Sequence, residues 1–160
     1  MKILVFSDSH SNSRKMKEAI DLHKHTCEVV IFLGDGLKDI YFLKEQYPTI
    51  AFFAVKGNCD FFDYETEKER MLCLDGINIM ITHGDLYGVK GGYGNIAVQA
   101  EKKGADAVFF GHTHIPYDNI MEINGKSIHL FNPGSVGYEG SYGVVNTSGR
   151  VLVTGHGKIS

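Results

Sequence analysis

Cysteine is scarce: the 160-residue chain has three, Cys27, Cys59 and Cys73. An odd number with no Cys-x-x-Cys spacing argues against a disulfide framework and against a thiolate zinc site. No run of about 18 apolar residues occurs, so no membrane-spanning helix is expected. The stretch Met1–Phe6 reaches Asp8 and His10 too soon for the apolar region of a signal peptide, which makes the cytoplasm the expected compartment. A basic surplus is missing as well. Sixteen Lys and Arg against 19 Asp and Glu leave a net charge of −3, so nucleic acid gripped through bulk charge is not indicated. Two nucleotide signatures are also absent. The first strand–helix turn reads Ser7-Asp8-Ser9-His10 where a dinucleotide fold needs Gly-x-Gly-x-x-Gly, and there is no P-loop Gly-Lys-Ser/Thr.

What the chain does have is apolar side chains, 43% of its residues, enough for a sizeable core. Its length is that of one domain, and no linker, repeat or low-complexity tract divides it, so residues 1–160 read as a single domain. Lys2–Phe6, Val29–Leu33 and Ala51–Val55 read as buried strands. Helices are expected between them, from Asn12 or Ser13 to about Thr26 and from about Leu37 to Gln46. This alternation implies parallel pairing with right-handed crossovers. The second half is rich in hairpins. Glu69–Leu74 and Ile77–Ile81 flank Asp75-Gly76, and Tyr117–Ile123 and Lys126–Phe131 flank Asn124-Gly125. Tyr142–Asn146 and Val151–Thr154 flank a turn around Thr147-Ser148-Gly149. A helix from about Asn95 to Lys103 and a strand Asp106–Phe110 lie between the hairpins.

The informative feature is how the apolar runs end. Five of them lead in turn into Ser7-Asp8-Ser9-His10, Gly34-Asp35-Gly36, Gly57-Asn58-Cys59-Asp60, Thr82-His83-Gly84-Asp85 and Gly111-His112-Thr113-His114. Ligands of open α/β sheets bind outside the carboxyl ends of the strands, so these groups can converge. Taken singly, each has an ordinary explanation as a cap, a turn residue or a core histidine. Independent turn chemistry does not place four of the eight histidines directly behind strands. In Asp8-x-His10 and His112-x-His114, extended backbone would point both members of each pair the same way.

Two carboxylates, one amide oxygen and four imidazoles exceed the three protein ligands of one open catalytic metal. They suit two metals about 3.5–4 Å apart sharing a carboxylate. Mixed oxygen and nitrogen donors favour Mn, Fe, Ni, Co or Zn over Mg or Ca. Two divalent cations against two aspartates leave roughly two positive charges, enough to hold a phosphate ester and acidify water.

Asp-x-His, Gly-Asp, Gly-Asn-x-Asp, His-Gly and Gly-His-x-His, in this order, resemble the calcineurin-like metallophosphoesterase superfamily. The Gly-Asn-Cys-Asp and Asn-Pro-Gly-Ser elements and the short length are similar to its small, single-domain, YfcE-type phosphodiesterase branch. The resemblance runs from Lys2 to about Ser135. It implies a four-layer αββα sandwich of two mixed sheets flanked by helices, with a dinuclear metal site at the strand ends. It further implies that Asp8, His10, Asp35 and His114 hold one metal and Asp35, Asn58, His83 and His112 the other, with Asp35 bridging. Manganese is the first expectation, with Ni, Co, Fe or Zn as alternatives. The implied reaction is attack of a metal-bridging hydroxide on a small-molecule phosphate ester or diester.

One position departs from the pattern. Many members carry a histidine after the asparagine, which protonates the leaving oxygen or stabilises the transition state; here Cys59 stands there, a weaker acid or a packing residue. Asp60 is expected to orient a ligand from behind. Asn132-Pro133-Gly134-Ser135 reads as a turn, and His23, His25, His129 and His156 as structural or solvated. The segment Gly88–Gly94, with Tyr87 and Tyr93, is a candidate for shaping substrate access. The alternative function is a non-catalytic or weakly active protein-binding scaffold on the same fold, like a retromer subunit that resembles it. The sequence does not set the oligomeric state; a dimer is one option.

Overall fold

The computed structural model describes residues 1–160. Its first half alternates β1 (Lys2–Phe6), α1 (Ser13–His23), β2 (Val29–Phe32), α2 (Leu37–Lys44) and β3 (Ala51–Ala54). The three strands pair in parallel. The second half contains β4 (Glu69–Leu74), β5 (Ile77–Thr82), α3 (Gly94–Lys102), β6 (Ala107–Phe109), β7 (Tyr117–Ile123), β8 (Lys126–Asn132), β9 (Ser141–Ser148) and β10 (Val151–Lys158). One sheet has the order β10-β9-β1-β2-β3 and the other β4-β5-β6-β8-β7. Both are mixed. β9 returns antiparallel to β1, while β6 runs parallel to β5 and β8. No helix is long and apolar enough to cross a membrane.

Strand periodicity explains the layering, because successive side chains point to opposite faces. Ile3 and Val5 enter a core shared with Ile79, Ile81, Phe109 and Phe131 of the other sheet. Leu4 and Phe6 face outward under Met16 and Ile20 of α1 and Ile40 and Leu43 of α2. On the opposite side Met80, Val108 and Leu130 pack under Ile96, Ala97 and Ala100 of α3. Helix, sheet, sheet and helix therefore stack as the expected αββα sandwich. Burying a large apolar side chain contributes about 1.5–3 kcal/mol. Ile3, Leu4, Val5 and Phe6 are all fully buried, so the strand that leads into Asp8 is held from both faces.

Three details differ from the sequence reading. α1 ends at His23, where its carbonyl accepts the N–H groups of both Thr26 and Cys27 and closes the helix early. β3 is the sheet edge, so Ala51 is exposed and Phe52–Ala54 are half-buried rather than buried on both faces. The last hairpin turns at Gly149-Arg150, later than expected, with φ of 51° and 71°; Val151 then pairs with Ser148. The Asp75-Gly76 and Asn124-Gly125 turns lie where their residue types placed them.

Candidate metal centre

The strands deliver their polar ends through strained backbone. Nine residues other than glycine have positive φ, and five of them are Asp8 (56°), His10 (45°), Asp35 (62°), His112 (70°) and His114 (62°). Asp and His tolerate this region better than most residues, yet each such position still costs on the order of 1 kcal/mol. Three of the other four, Asp75, Asn124 and Arg150, make the hairpin turns, where positive φ is ordinary. The two x-spaced pairs are thus not extended, which corrects the expectation that each pair points one way. Asp8 and His10 do stay together. His112 and His114 part and join different groups.

Asp8, His10 and His114 form one group whose ligand atoms lie within 4.8 Å of one another; Asp35, His83 and His112 form a second. In the first, Asp8 Oδ1 is 3.1 Å from His114 Nε2 and 3.5 Å from His10 Nε2. In the second, His83 Nε2 is 3.3 Å from Asp35 Oδ2 and 3.2 Å from His112 Nδ1. The groups meet at the two buried carboxylates. His10 Nε2 lies 4.0 Å from Asp35 Oδ2, and His83 Nε2 lies 3.9 Å from Asp8 Oδ1. Asn58, the seventh expected ligand, is exposed, its amide nitrogen 3.6 Å from Cys59 Sγ, on the loop whose next residue donates its N–H to Asp35.

The donor set fits cations. His83 Nδ1 donates to the Leu33 carbonyl oxygen at 2.7 Å, which leaves the Nε2 lone pair facing the Asp35 carboxylate and the His112 ring. A backbone carbonyl fixing the far nitrogen is how ligating histidines are commonly oriented. His10 and His114 likewise oppose their Nε2 atoms at 3.4 Å. Imidazole nitrogens and carboxylates crowded this closely are satisfied by a proton or a cation held between them.

Titration reflects the same crowding. Burial pushes the His83 pKa down, but hydrogen bonding to Asp35 and the charges of Asp8 and Asp35 outweigh it, and the net shift is upward. Burial raises the Asp35 pKa, while His83 and the Cys59 N–H lower it further, to about 2. His112 is pushed down, first by burial and then by His83. Burial and the charges of Asp35, Asp60 and Asp8 push Cys59 up to about 11. Cys59 Sγ is within ligand range of His10 and Asp35, and its N–H donates to Asp35 Oδ1 at 2.8 Å.

A family model described as the calcineurin-like phosphoesterase superfamily domain matches residues 1–150. The chain belongs to this superfamily. A probable metallophosphoesterase of Bacillus subtilis strain 168, YsnB, is 34% identical over 137 residues, covering 85% of this phosphoesterase and 75% of that protein. The crystal structure of a predicted phosphoesterase from Streptococcus pneumoniae TIGR4 superposes with a TM-score of 0.78 at 25% identity, over 98% of this chain and 88% of that one. Wild-type Vps29 of Entamoeba histolytica complexed with zinc shares the fold, with a TM-score of 0.77 at 18% identity over 99% and 98% of the two chains.

Several residues that hold the phosphoesterase site together escaped the sequence reading. Asp39 Oδ2 accepts from Ser9 Oγ at 2.6 Å and from the Ser11 N–H at 3.1 Å, which ties the β1 loop to α2. Ser7 Oγ donates to Asp8 Oδ2 at 2.5 Å, and the His112 N–H donates to the same oxygen at 3.1 Å. Asn132 and Ser135 are fully buried, so the turn reading of their segment was incomplete. Asn132 Nδ2 donates to the Gly111 carbonyl, and Ser135 Oγ donates to the Asp8 carbonyl. Only their burial reveals this; sequence spacing carries no signal for it.

Asp60 does more than expected. Its Oδ2 accepts from the N–H groups of Asp35 and Gly57, and its Oδ1 from those of Gly36 and Leu37, at 2.8–3.0 Å. It thereby caps α2, whose own N-cap glycine offers no side chain, and clamps Asp35 from behind. Gly57 is needed at this joint, because a Cβ there would collide with Asp35 Oδ1 and the Asp35 backbone nitrogen. The Gly88–Gly94 segment is anchored at two points, while Gly88, Lys90, Gly91, Gly92 and Gly94 are exposed. Val89 is buried and Tyr93 packs, tilted, against Phe110 and Tyr117; just before the segment Tyr87 bonds Glu69. His23, His129 and His156 pair with Tyr142, Asp118 and the Asn132 carbonyl, as structural residues do.

Proposed function

We propose that residues 1–160 form one metallophosphoesterase domain that binds two divalent cations and hydrolyses phosphate esters, diesters in preference to monoesters. The supporting observation is the pair of ligand groups that meet at Asp8 and Asp35, with unshared lone pairs turned inward. Asp8, His10 and His114 would hold one cation, and Asp35, His83 and His112 the other. Asp35 would serve both cations, since it groups with His83 and His112 on one side and with His10 and Cys59 on the other. When bound, the cations supply Lewis acidity, neutralising phosphoryl charge and lowering the pKa of water. Manganese is the first choice for this donor set, with Ni, Co, Fe or Zn as alternatives.

The protein's own residues set geometry and protons. Asp60 and Asp39 hold the two loops so that the carboxylates do not reorganise as substrate arrives. Asn58 would add its amide oxygen to the Asp35 group. Cys59 carries a proton at Sγ beside Asp35, at the position from which a leaving oxygen would be reached. A thiol is a poor proton donor compared with an imidazolium, so esters with stable leaving groups are the better substrates.

An open cleft of about 550 Å³ beside His10, Asp35 and Cys59 gives room for a second ester arm and supports the diester reading. The test is a panel of mono- and diesters assayed with metal-free protein reconstituted with Mn, Ni, Co, Zn or Fe. Diester turnover highest with Mn is the expected result; no turnover with any of them would end the hydrolase reading. The scaffold alternative draws on Cys59 in place of histidine. Zinc bound to a Vps29 of this fold makes metal content a poor discriminator, so turnover decides.

A further inference from the structure

The cleft beside the candidate metal centre is not uniform. Its lining combines the polar His10, Asp35 and Cys59 with the apolar Leu37, Phe61 and Phe62. Phe61 and Phe62 are 69% and 80% exposed, side by side, on the loop that carries Asn58 and Cys59. Single exposed apolar residues are ordinary, but two adjacent phenyl rings at the mouth of a polar centre are an apolar surface awaiting cover.

The carboxylates along the cleft do not oppose that reading. Asp39 is bonded to Ser9 and Ser11, and Asp60 to four backbone N–H groups. Asp63 accepts from Tyr41, Thr66 and the Glu65 N–H. Each is already committed to donors within the protein. Lys38 also lines the cleft, its Nζ 5.5 Å from the centre of the Phe62 ring, which it steadies. The phenyl part of the lining therefore offers apolar faces with one ammonium beside them, and the His10 and Asp35 part offers charge for phosphorus.

We infer that Phe61 and Phe62 form a subsite for an aromatic arm of the phosphate ester, so that the substrate class is aryl-bearing or base-bearing phosphodiesters. This rests on the hydrolase reading for catalysis but not for binding. The ring of the arm would lie against Phe62, with the phosphoryl group toward His10 and Asp35, the residues that would hold cations there. Aromatic faces in offset or edge contact add to simple area burial, which gives a ring an advantage over an alkyl arm of similar bulk.

The test uses the manganese-loaded protein and two stable phosphonates, phenylphosphonate and methylphosphonate, titrated by calorimetry. Phenylphosphonate is expected to bind about tenfold more tightly, a difference of about 1.4 kcal/mol. Phe62→Ala should cut the ratio to about threefold, Phe62→Leu should leave it intermediate, and Phe61→Ala with Phe62→Ala should abolish it. Thermal melting checks that the variants fold, as substitutions at such exposed positions should allow. Equal affinities in the unaltered protein, no binding of either phosphonate, or a ratio kept in the double variant would each overturn the inference. A parallel assay fixes p-nitrophenolate as leaving group and varies the other arm between phenyl and methyl. Loss of turnover on both diesters, with the phosphonate ratio intact, would sink the hydrolase reading and leave the subsite standing.

Discussion

Asp60→Asn isolates the clamp behind Asp35. The substitution keeps the shape of the side chain, but one of its two oxygens becomes an amide nitrogen. Each oxygen now serves two backbone N–H donors, so whichever is replaced leaves two donors without an acceptor. Losing two hydrogen bonds to a charged group, in a partly buried setting, costs about 2–4 kcal/mol. The N-terminus of α2 also loses its anion, worth roughly 0.3–1 kcal/mol and partly included in that figure. For a domain of this size 1 kcal/mol moves Tm by about 2–4 °C, so a loss near 3 kcal/mol should lower it by roughly 6–12 °C. Because the clamp also fixes Asp35, manganese affinity should fall by about 10–100-fold, as for other groups behind metal ligands. Differential scanning calorimetry and a manganese titration measure both effects on one preparation. A Tm within about 2 °C of the parent together with unchanged manganese affinity would refute the clamp, since such a change is under 1 kcal/mol for a domain of this size.

The same geometry sets four other expectations. Asp35→Asn should abolish turnover and weaken both metals at once, read by metal analysis after dialysis; one full-occupancy metal with retained activity would remove Asp35 from the bridging position. His114→Ala and His112→Ala should each depress a different metal, so that the two variants lose different steps of a stepwise titration. Cys59→His should raise turnover of esters with poor leaving groups by about a hundredfold or more, the low end of general-acid contributions, with little gain on p-nitrophenyl esters. An unchanged dependence on leaving-group pKa would take position 59 out of the chemistry. Gly57→Ala should lower Tm and metal affinity together, because the added methyl collides with Asp35 rather than filling space.

Much of the architecture was legible because strands announce themselves. Ile3–Phe6 and Val29–Phe32 are unbroken apolar runs, and the Asp75-Gly76 and Asn124-Gly125 pairs mark two hairpin turns of the second half by residue chemistry alone. The metal-centre candidates were legible for a related reason: each apolar run breaks abruptly into Asp or His. What escaped depends on the third dimension. That Ala51 lies on an edge is a matter of strand order, which composition does not encode. That His112 and His114 diverge results from left-handed backbone, which no spacing rule anticipates for residues other than glycine. Asp39, Asn132 and Ser135 act on partners between about 20 and 130 positions away, so nothing in their own neighbourhood distinguishes them from turn residues.

The five left-handed positions carry an evolutionary corollary. A descendant that gave up its cations could not refill Asp8 or Asp35 with just any residue, since a branched or bulky side chain would strain the loop. The cheapest drift is to asparagine or glycine, which preserves the turn while erasing charge. Decay on this scaffold would therefore show first as neutralised aspartates in unaltered loops, and a shape-based comparison would register almost no change.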